Sequence, residues 1–192
     1  MKIAAIKRSC ATRRTARILN VIGGRGQWIS NGQSAFCVDG LRVDEDAVAA
    51  LFDLSGNVRM TWNMGETIVT DPRFVRESFE GEEETDACGM QVWCDEAFVA
   101  LPSSRGLLYM PFEPVSHIRE KGRRYAVRWS EGGRPLVAVY NGLLCDVLVL
   151  PLPDGDATTL QGFARRMTAP LYEWNEAEEY TEAGDDEGEA ME

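Results

Sequence analysis

One histidine stands in the 192 residues, His117, and its solitude narrows the chemistry available to the chain. A metal site built on histidines is excluded, and any Ser/His/Asp or Cys/His relay must run through this one ring. Glu113 lies four residues earlier and would share its face of a helix, but Pro114 interrupts the start of that helix, so a surface or capping histidine is the simpler role. Asp44 with Asp46, and Asp95 with Glu96, set two carboxylates close together as a two-metal site requires. They read more simply as helix-start and turn residues. Cys10, Cys37, Cys88, Cys94 and Cys145 are odd in number, scattered, and without CxxC spacing, which points to buried free thiols rather than a zinc knuckle or a redox dithiol. Gly23-Gly24-Arg25-Gly26 lacks the GxxxxGK[ST] pattern and joins two strand-like runs, so it reads as a hairpin turn and not as a phosphate cradle. The residues therefore assign no catalytic group, no metal site and no cofactor.

Charge carries a stronger signal. Lys2, Lys7, Arg8, Arg13, Arg14, Arg17 and Arg25 precede the first acidic residue, Asp39. A cluster of this kind attracts phosphate through counterion release without needing a shaped pocket, which makes these seven the candidate nucleic-acid contacts. Trp28 and Phe36 are placed to stack on bases if exposed, although aromatic residues in strands are more often core. The competing role for the same charges is a solvated helix face, or pairing with the chain's own acidic residues. The net charge of −11 comes almost entirely from residues 171–192, which hold ten acidic side chains and no basic one. That composition cannot bury enough apolar surface to fold alone and reads as a disordered acidic tail. It is suited to solubility, to folding back on the basic segment, or to a basic protein partner.

The elements that would position these residues follow from periodicity. Ile3, Ile6 and Cys10 space a short amphipathic helix over 1–14. Strand-like runs follow at 14–22, 27–30 and 34–38, the last two joined by Asn31-Gly32, a pair that favours a type I′ hairpin. Asp44 is placed to cap a helix to Leu54, and Ser55-Gly56 stops it. A hairpin of 58–62 with 67–70 is expected next. The stretch 71–86, with Glu80-Gly81-Glu82-Glu83-Glu84, reads as an exposed loop. Strands are expected at 90–94, 97–101 and 107–110, and a short helix at 114–120. In 124–129 the residues Tyr125, Val127 and Trp129 alternate with Arg124, Ala126 and Arg128, the pattern of a strand with one wet face. Leu136 to Tyr140 returns, Asn141-Gly142 turns the chain, and 143–152 is an almost wholly apolar strand. A last helical turn is expected within 160–167.

The two meanders echo one another. Gly23-Gly24-Arg25 lies 109 residues before Gly132-Gly133-Arg134, and Asn31-Gly32 lies 110 before Asn141-Gly142. Shared turn stereochemistry accounts for this, and so does a pseudo-repeated fold of helix plus three-stranded units. In that order of elements, with basic Lys7, Arg8, Arg13 and Arg14 on the first helix and a closing run of Leu150-Pro151-Leu152-Pro153, residues 1–153 resemble the repeating unit of DNA sliding clamps. The resemblance implies helices that face DNA with basic side chains.

The expectation is thus an α+β fold of antiparallel sheets made from helix-plus-meander units, with a body over 1–170, either undivided or as lobes 1–72 and 86–153 around the charged loop 73–85. The functions expected are a non-enzymatic association with double-stranded DNA or, alternatively, an assembly module that uses a sheet edge or the acidic tail, with homo-oligomers among its products. No apolar run approaches the roughly 20 residues of a membrane span, and Met1 to Cys10 has no signal-peptide core, so the expected location is the cytoplasm.

Overall fold

A computed structural model describes residues 2–22, 26–38, 40, 42–93 and 96–153. Helix α1 (Lys2–Arg13) leads into the meander β1 (Thr15–Val21), β2 (Gln27–Ser30) and β3 (Ser34–Val38). Asp44 caps α2 (Glu45–Leu51) as expected, its carboxylate accepting from the Ala47 N–H at 2.8 Å. Residues 58–62 do not form the expected strand. The chain makes a short helix α3 (Gly56–Arg59), and the Thr61 and Trp62 N–H groups bond back to the Val58 and Arg59 carbonyls. Local turn hydrogen bonds override the strand preference of Val58, Thr61 and Trp62 here. Strand β4 (Asn63–Val69) consequently has no hairpin partner before it and pairs in parallel with β1.

The remaining strands are β5 (Glu83–Thr85), β6 (Gly89–Trp93), β7 (Glu96–Ser103), β8 (Gly106–Pro111), β9 (Arg123–Trp129), β10 (Pro135–Asn141), β11 (Leu144–Val149) and β12 (Leu152–Pro153). The expected helix at 114–120 is replaced by two 3-10 turns, Glu113–Val115 and Glu120–Gly122. Eight strands form one sheet in the order β4-β1-β2-β3-β11-β10-β9-β5, and four form a second in the order β12-β8-β7-β6. The chain is α+β, and strands from both sides of residues 73–85 share the larger sheet. Its two meanders meet through their last strands, with Phe36 opposite Val147 and Ala35 opposite Leu148.

Both faces of this sheet are covered. Ile18, Phe36, Val127, Val139 and Val147 pack on one side against Ile6 and Cys10 of α1, Val48 and Phe52 around α2, and Val99, Leu101 and Met110 of the smaller sheet. On the other side lie Leu19, Trp28, Ala138, Tyr140 and Leu148, with Phe74 closing over them. Trp28 and Phe36 are therefore core residues, not stacking platforms: Trp28 meets Phe74 edge-on at 6.0 Å, and both are buried.

The charged stretch expected to be an exposed loop supplies that second cover. Arg73 and Phe74 are buried, and Glu83 to Thr85 adds an edge strand to β9. Arg128 on β9, expected on a wet face, is wholly buried beneath it. The alternation in 124–129 marks two faces correctly, but periodicity cannot reveal that a polar segment will lie across one of them.

The Asn-Gly turns also depart from expectation. Among the described non-glycine residues only Arg14 and Asp53 have positive φ, so neither Asn31 nor Asn141 takes the first position of a type I′ turn. After β10 the two turn residues are Gly142 (φ +71) and Leu143, since Asn141 still pairs with Leu144; glycine alone at positive φ is the type II′ pattern. After β2 the loop is longer, and Asn31 Oδ1 accepts from the Gln33 and Ser34 N–H groups at 3.0 and 2.7 Å. No described helix is long and apolar enough to cross a membrane. Arg25, Cys94, the expected helical turn at 160–167 and the acidic tail lie outside the described residues.

Candidate functional site

A cleft of about 610 Å³ opens where the C-terminal half of α1 meets the 31–34 loop and the ends of β7 and β8. Helical spacing brings Ser9, Thr12 and Arg13 to one face of α1, and that face is one wall. Asn31 and Gln33 form a second wall. Glu96, where β7 starts, and Glu113, in the 3-10 turn after β8, stand on the third. Between them the surface is apolar, from Ala97, Pro111, Phe112 and Pro114.

These polar groups are wired together. Ser9 Oγ donates to Glu113 Oε2 at 2.7 Å and accepts from Asn31 Nδ2 at 2.9 Å, which ties residues 104 positions apart to the loop. Arg13 Nη2 donates to Gln33 Oε1 at 2.7 Å. Burial lowers the pKa of this guanidinium, while Glu96 pulls it the other way. Glu113 also reaches Cys10: burial pushes that thiol up, and the nearby carboxylate adds to the shift, so Cys10 is a packed thiol and not a nucleophile. A serine held between a carboxylate and an amide has no histidine base in this cleft. Its hydrogen bonds fix the position of the Glu113 carboxylate against α1 and the 31–34 loop.

Of the seven basic residues singled out in the sequence, the five with described side chains lie in different surroundings. Lys7 Nζ pairs with Asp53 at 2.5 Å near the surface. Arg13 turns into the cleft, and Arg17 on β1 donates to Thr67 Oγ1 at 2.8 Å. Arg8 and Arg14 are exposed. Lys2 begins α1, and Arg25 is outside the described residues. Of the other candidates, Asp46 pairs with Arg59 at 2.7 Å beside the helix cap of Asp44, and Asp95 is outside the described residues. His117 is half-buried between the two 3-10 turns, and the carboxylate of Glu113 goes to Ser9. Among the described residues no three His, Cys, Asp or Glu side chains come together as metal ligands. Cys10, Cys37 and Cys145 are buried free thiols as expected, whereas Cys88 is exposed. Sequence reasoning missed Ser9, Gln33 and the pairing of Glu113 with α1, since each depends on contacts between distant segments. The one available signal was the Ser9/Thr12/Arg13 spacing on the polar side of a short helix.

No known protein family, no curated protein and no solved structure matches the chain.

Proposed function

We propose that the chain is a non-enzymatic assembly module whose edge strand β4 pairs with β4 of a second copy. One observation carries this reading: among the described residues β4 is a seven-residue edge strand, with exposed apolar side chains just before its N-terminal end and at its C-terminal end. The Asn63 N–H donates to the Arg14 carbonyl and the Val69 carbonyl accepts from Ile22, so the odd-numbered residues face β1. In a parallel ladder the alternate residues face the other way, which turns the backbone groups of Met64, Glu66 and Ile68 outward. A row of such groups is a template for another strand. Ile68 and Ile22 are 65% and 66% exposed beside the C-terminal end of β4, and Val58 and Met60 are 54% and 84% exposed just before its N-terminal end. An antiparallel, two-fold pairing sets the first pair of one copy beside the second pair of the other, so the same surface is complementary to itself. Glu66 is the lone charged side chain of β4, and Asn20 holds it at 3.0 Å against its own sheet.

Sedimentation velocity tests this. The chain is expected to sediment as a dimer at tens of micromolar, and Ile68→Lys to give a monomer with an unchanged circular dichroism spectrum. A wild-type monomer at that concentration, or a dimer indifferent to Ile68→Lys, overturns the reading.

A second reading is association with double-stranded DNA through a clamp-like arrangement. It is supported by the exposed Arg8 in α1 and Arg14 just after it, and by the two three-stranded meanders that meet at β3 and β11. Binding of duplex DNA should weaken with salt, and Arg8→Glu with Arg14→Glu should lower the slope of log K against log salt by up to about 0.9 per lost phosphate contact. An absence of binding at low salt, even with the chain cut after Leu171, removes this reading.

A further inference from the structure

We infer that the cleft beside α1 is a binding site for a guanidinium or ammonium group carried on an alkyl stem. The inference does not depend on either reading above. Several hydrogen-bond donors on its walls have acceptors within the protein: Ser9 Oγ donates to Glu113, Asn31 Nδ2 to Ser9, Arg13 Nη2 to Gln33, Thr12 Oγ1 to the Arg8 carbonyl at 3.3 Å and Ser116 Oγ to the Glu113 carbonyl at 2.8 Å. The carboxylates of Glu96 and Glu113 add acceptor capacity. An ionised carboxylate offers about four lone-pair directions, and the Ser9 bond uses one on Glu113. The charge points the same way, since Glu96 and Glu113 outweigh the single cation Arg13 on the lining. An anion would sit beside two carboxylates, so phosphate is the wrong ligand for this cleft.

The apolar part of the lining suits the stem. Ala97, Pro111 and Pro114 would pack against methylenes, as the stems of lysine and arginine do against protein surfaces. The Phe112 ring already carries one guanidinium, Arg123, at 5.1 Å from its centroid, so its environment accepts cation–π contact. A volume of about 610 Å³ is that of a small-molecule pocket and exceeds what a lone ammonium ion fills. Ser9 and Asn31 are buried, and their bonds to Glu113 and to the loop set the carboxylate before any ligand arrives. Two sources of this chemistry fit, a free alkylamine or alkylguanidine and the side chain of a basic residue in a peptide.

Isothermal titration calorimetry on the full chain distinguishes them. The probes are agmatine, an acetylated and amidated Gly-Arg-Gly peptide, and inorganic phosphate. Saturable binding tighter than about 1 mM is expected for at least one of the first two and none for phosphate. Agmatine binding alone identifies a small-molecule site, and peptide binding alone identifies a side-chain site. Glu113→Gln and Glu96→Gln should each weaken binding about tenfold or more, while Glu131→Gln, in the β9–β10 turn, leaves it unchanged. Ser9→Ala keeps both charges and loosens Glu113, and should give a smaller loss. Thermal unfolding within a few degrees of the wild type shows that the variants fold. No saturable heat from either cation, binding of phosphate, or binding indifferent to both glutamine variants overturns the inference.

Discussion

The guanidinium of Arg128 donates to the hydroxyl of Tyr140 at 2.8 Å, and both side chains bond to the carboxylate of Glu82 in the stretch that crosses the sheet. Arg128 lies on β9 and Tyr140 on β10, on the same face, and the three together hold residues 71–82 against it. Arg128 also reaches three backbone carbonyls, those of Arg73, Val75 and Glu77, at 2.5, 2.8 and 2.9 Å. A charged segment thereby becomes the cover of an apolar face, because one buried side chain satisfies the backbone that would otherwise need water.

Removing that side chain should therefore be expensive. Arg128→Leu leaves the Glu82 carboxylate without its cation and frees the three carbonyls, and is expected to destabilise the fold by about 3–5 kcal/mol in urea denaturation. Arg128→Lys should restore little of this, since an ammonium has three donors at one point and cannot span the same set of acceptors. Tyr140→Phe should cost less by itself. Combined with Arg128→Leu it should be less than additive, because the two residues share Glu82.

Tyr140 also gives a pH dependence with a definite sign. Burial, and then its hydrogen bond to Glu82, push its pKa up to about 12 from the usual 10. The folded state therefore keeps the phenol proton when the unfolded chain has lost it. The stabilisation is fully present below pH 10 and is lost as pH rises toward about 12, at no more than about 1.4 kcal/mol per pH unit. Burial raises the Cys145 thiol to about 12 as well, so the informative quantity is the difference between the wild type and Tyr140→Phe. That difference should shrink between pH 10 and 12 in urea titrations and stay constant from pH 6 to 9.

Much of the fold was legible because it depends on near neighbours. The runs at 27–30 and 34–38 form strands with those bounds, and Asp44 caps its helix with the carboxylate that the capping preference requires. What could not be read depends on distant segments. Arg128 has the spacing of a surface residue and becomes the most buried charge among the described residues because 71–82 returns across it. Residues 58–62 have strand composition but meet no strand, and local turns take them instead. The apolar run 143–152 divides between both sheets, with Leu152 opposite Tyr109 in the smaller one. The cleft was the least legible feature. Ser9 and Glu113 are unremarkable in isolation, and their meeting depends on how α1 crosses the end of β8.

Gly65 marks the close approach of β4 to β1. Its φ of +154 is one that residues with a side chain rarely adopt, and a Cβ there would lie 2.8 Å from Nη1 of Arg17. Gly65→Ala should cost about 1–3 kcal/mol in thermal unfolding and displace the Arg17 to Thr67 hydrogen bond. Adding Arg17→Ala removes the clash and leaves the backbone cost, so the double variant should recover only part of the loss. Full recovery would mean that the backbone conformation carries no strain.

The two Asn-Gly pairs look alike in sequence and should respond differently to substitution. Asn31 is buried, its Oδ1 accepts from two backbone N–H groups, and its Nδ2 donates to Ser9. Asn31→Ala leaves these donors and the Ser9 hydroxyl short of partners in a buried loop, which is expected to cost about 2–4 kcal/mol. Asn141 is exposed, and its Nδ2 reaches only Asp146, at 3.2 Å. Asn141→Ala should cost less than about 1 kcal/mol, because water can replace that bond. If the turns were interchangeable copies of one hairpin, both substitutions would cost the same. A difference of 1 kcal/mol or more in chemical denaturation shows instead that the first asparagine is tied to α1 and the cleft, while the second serves only its own turn.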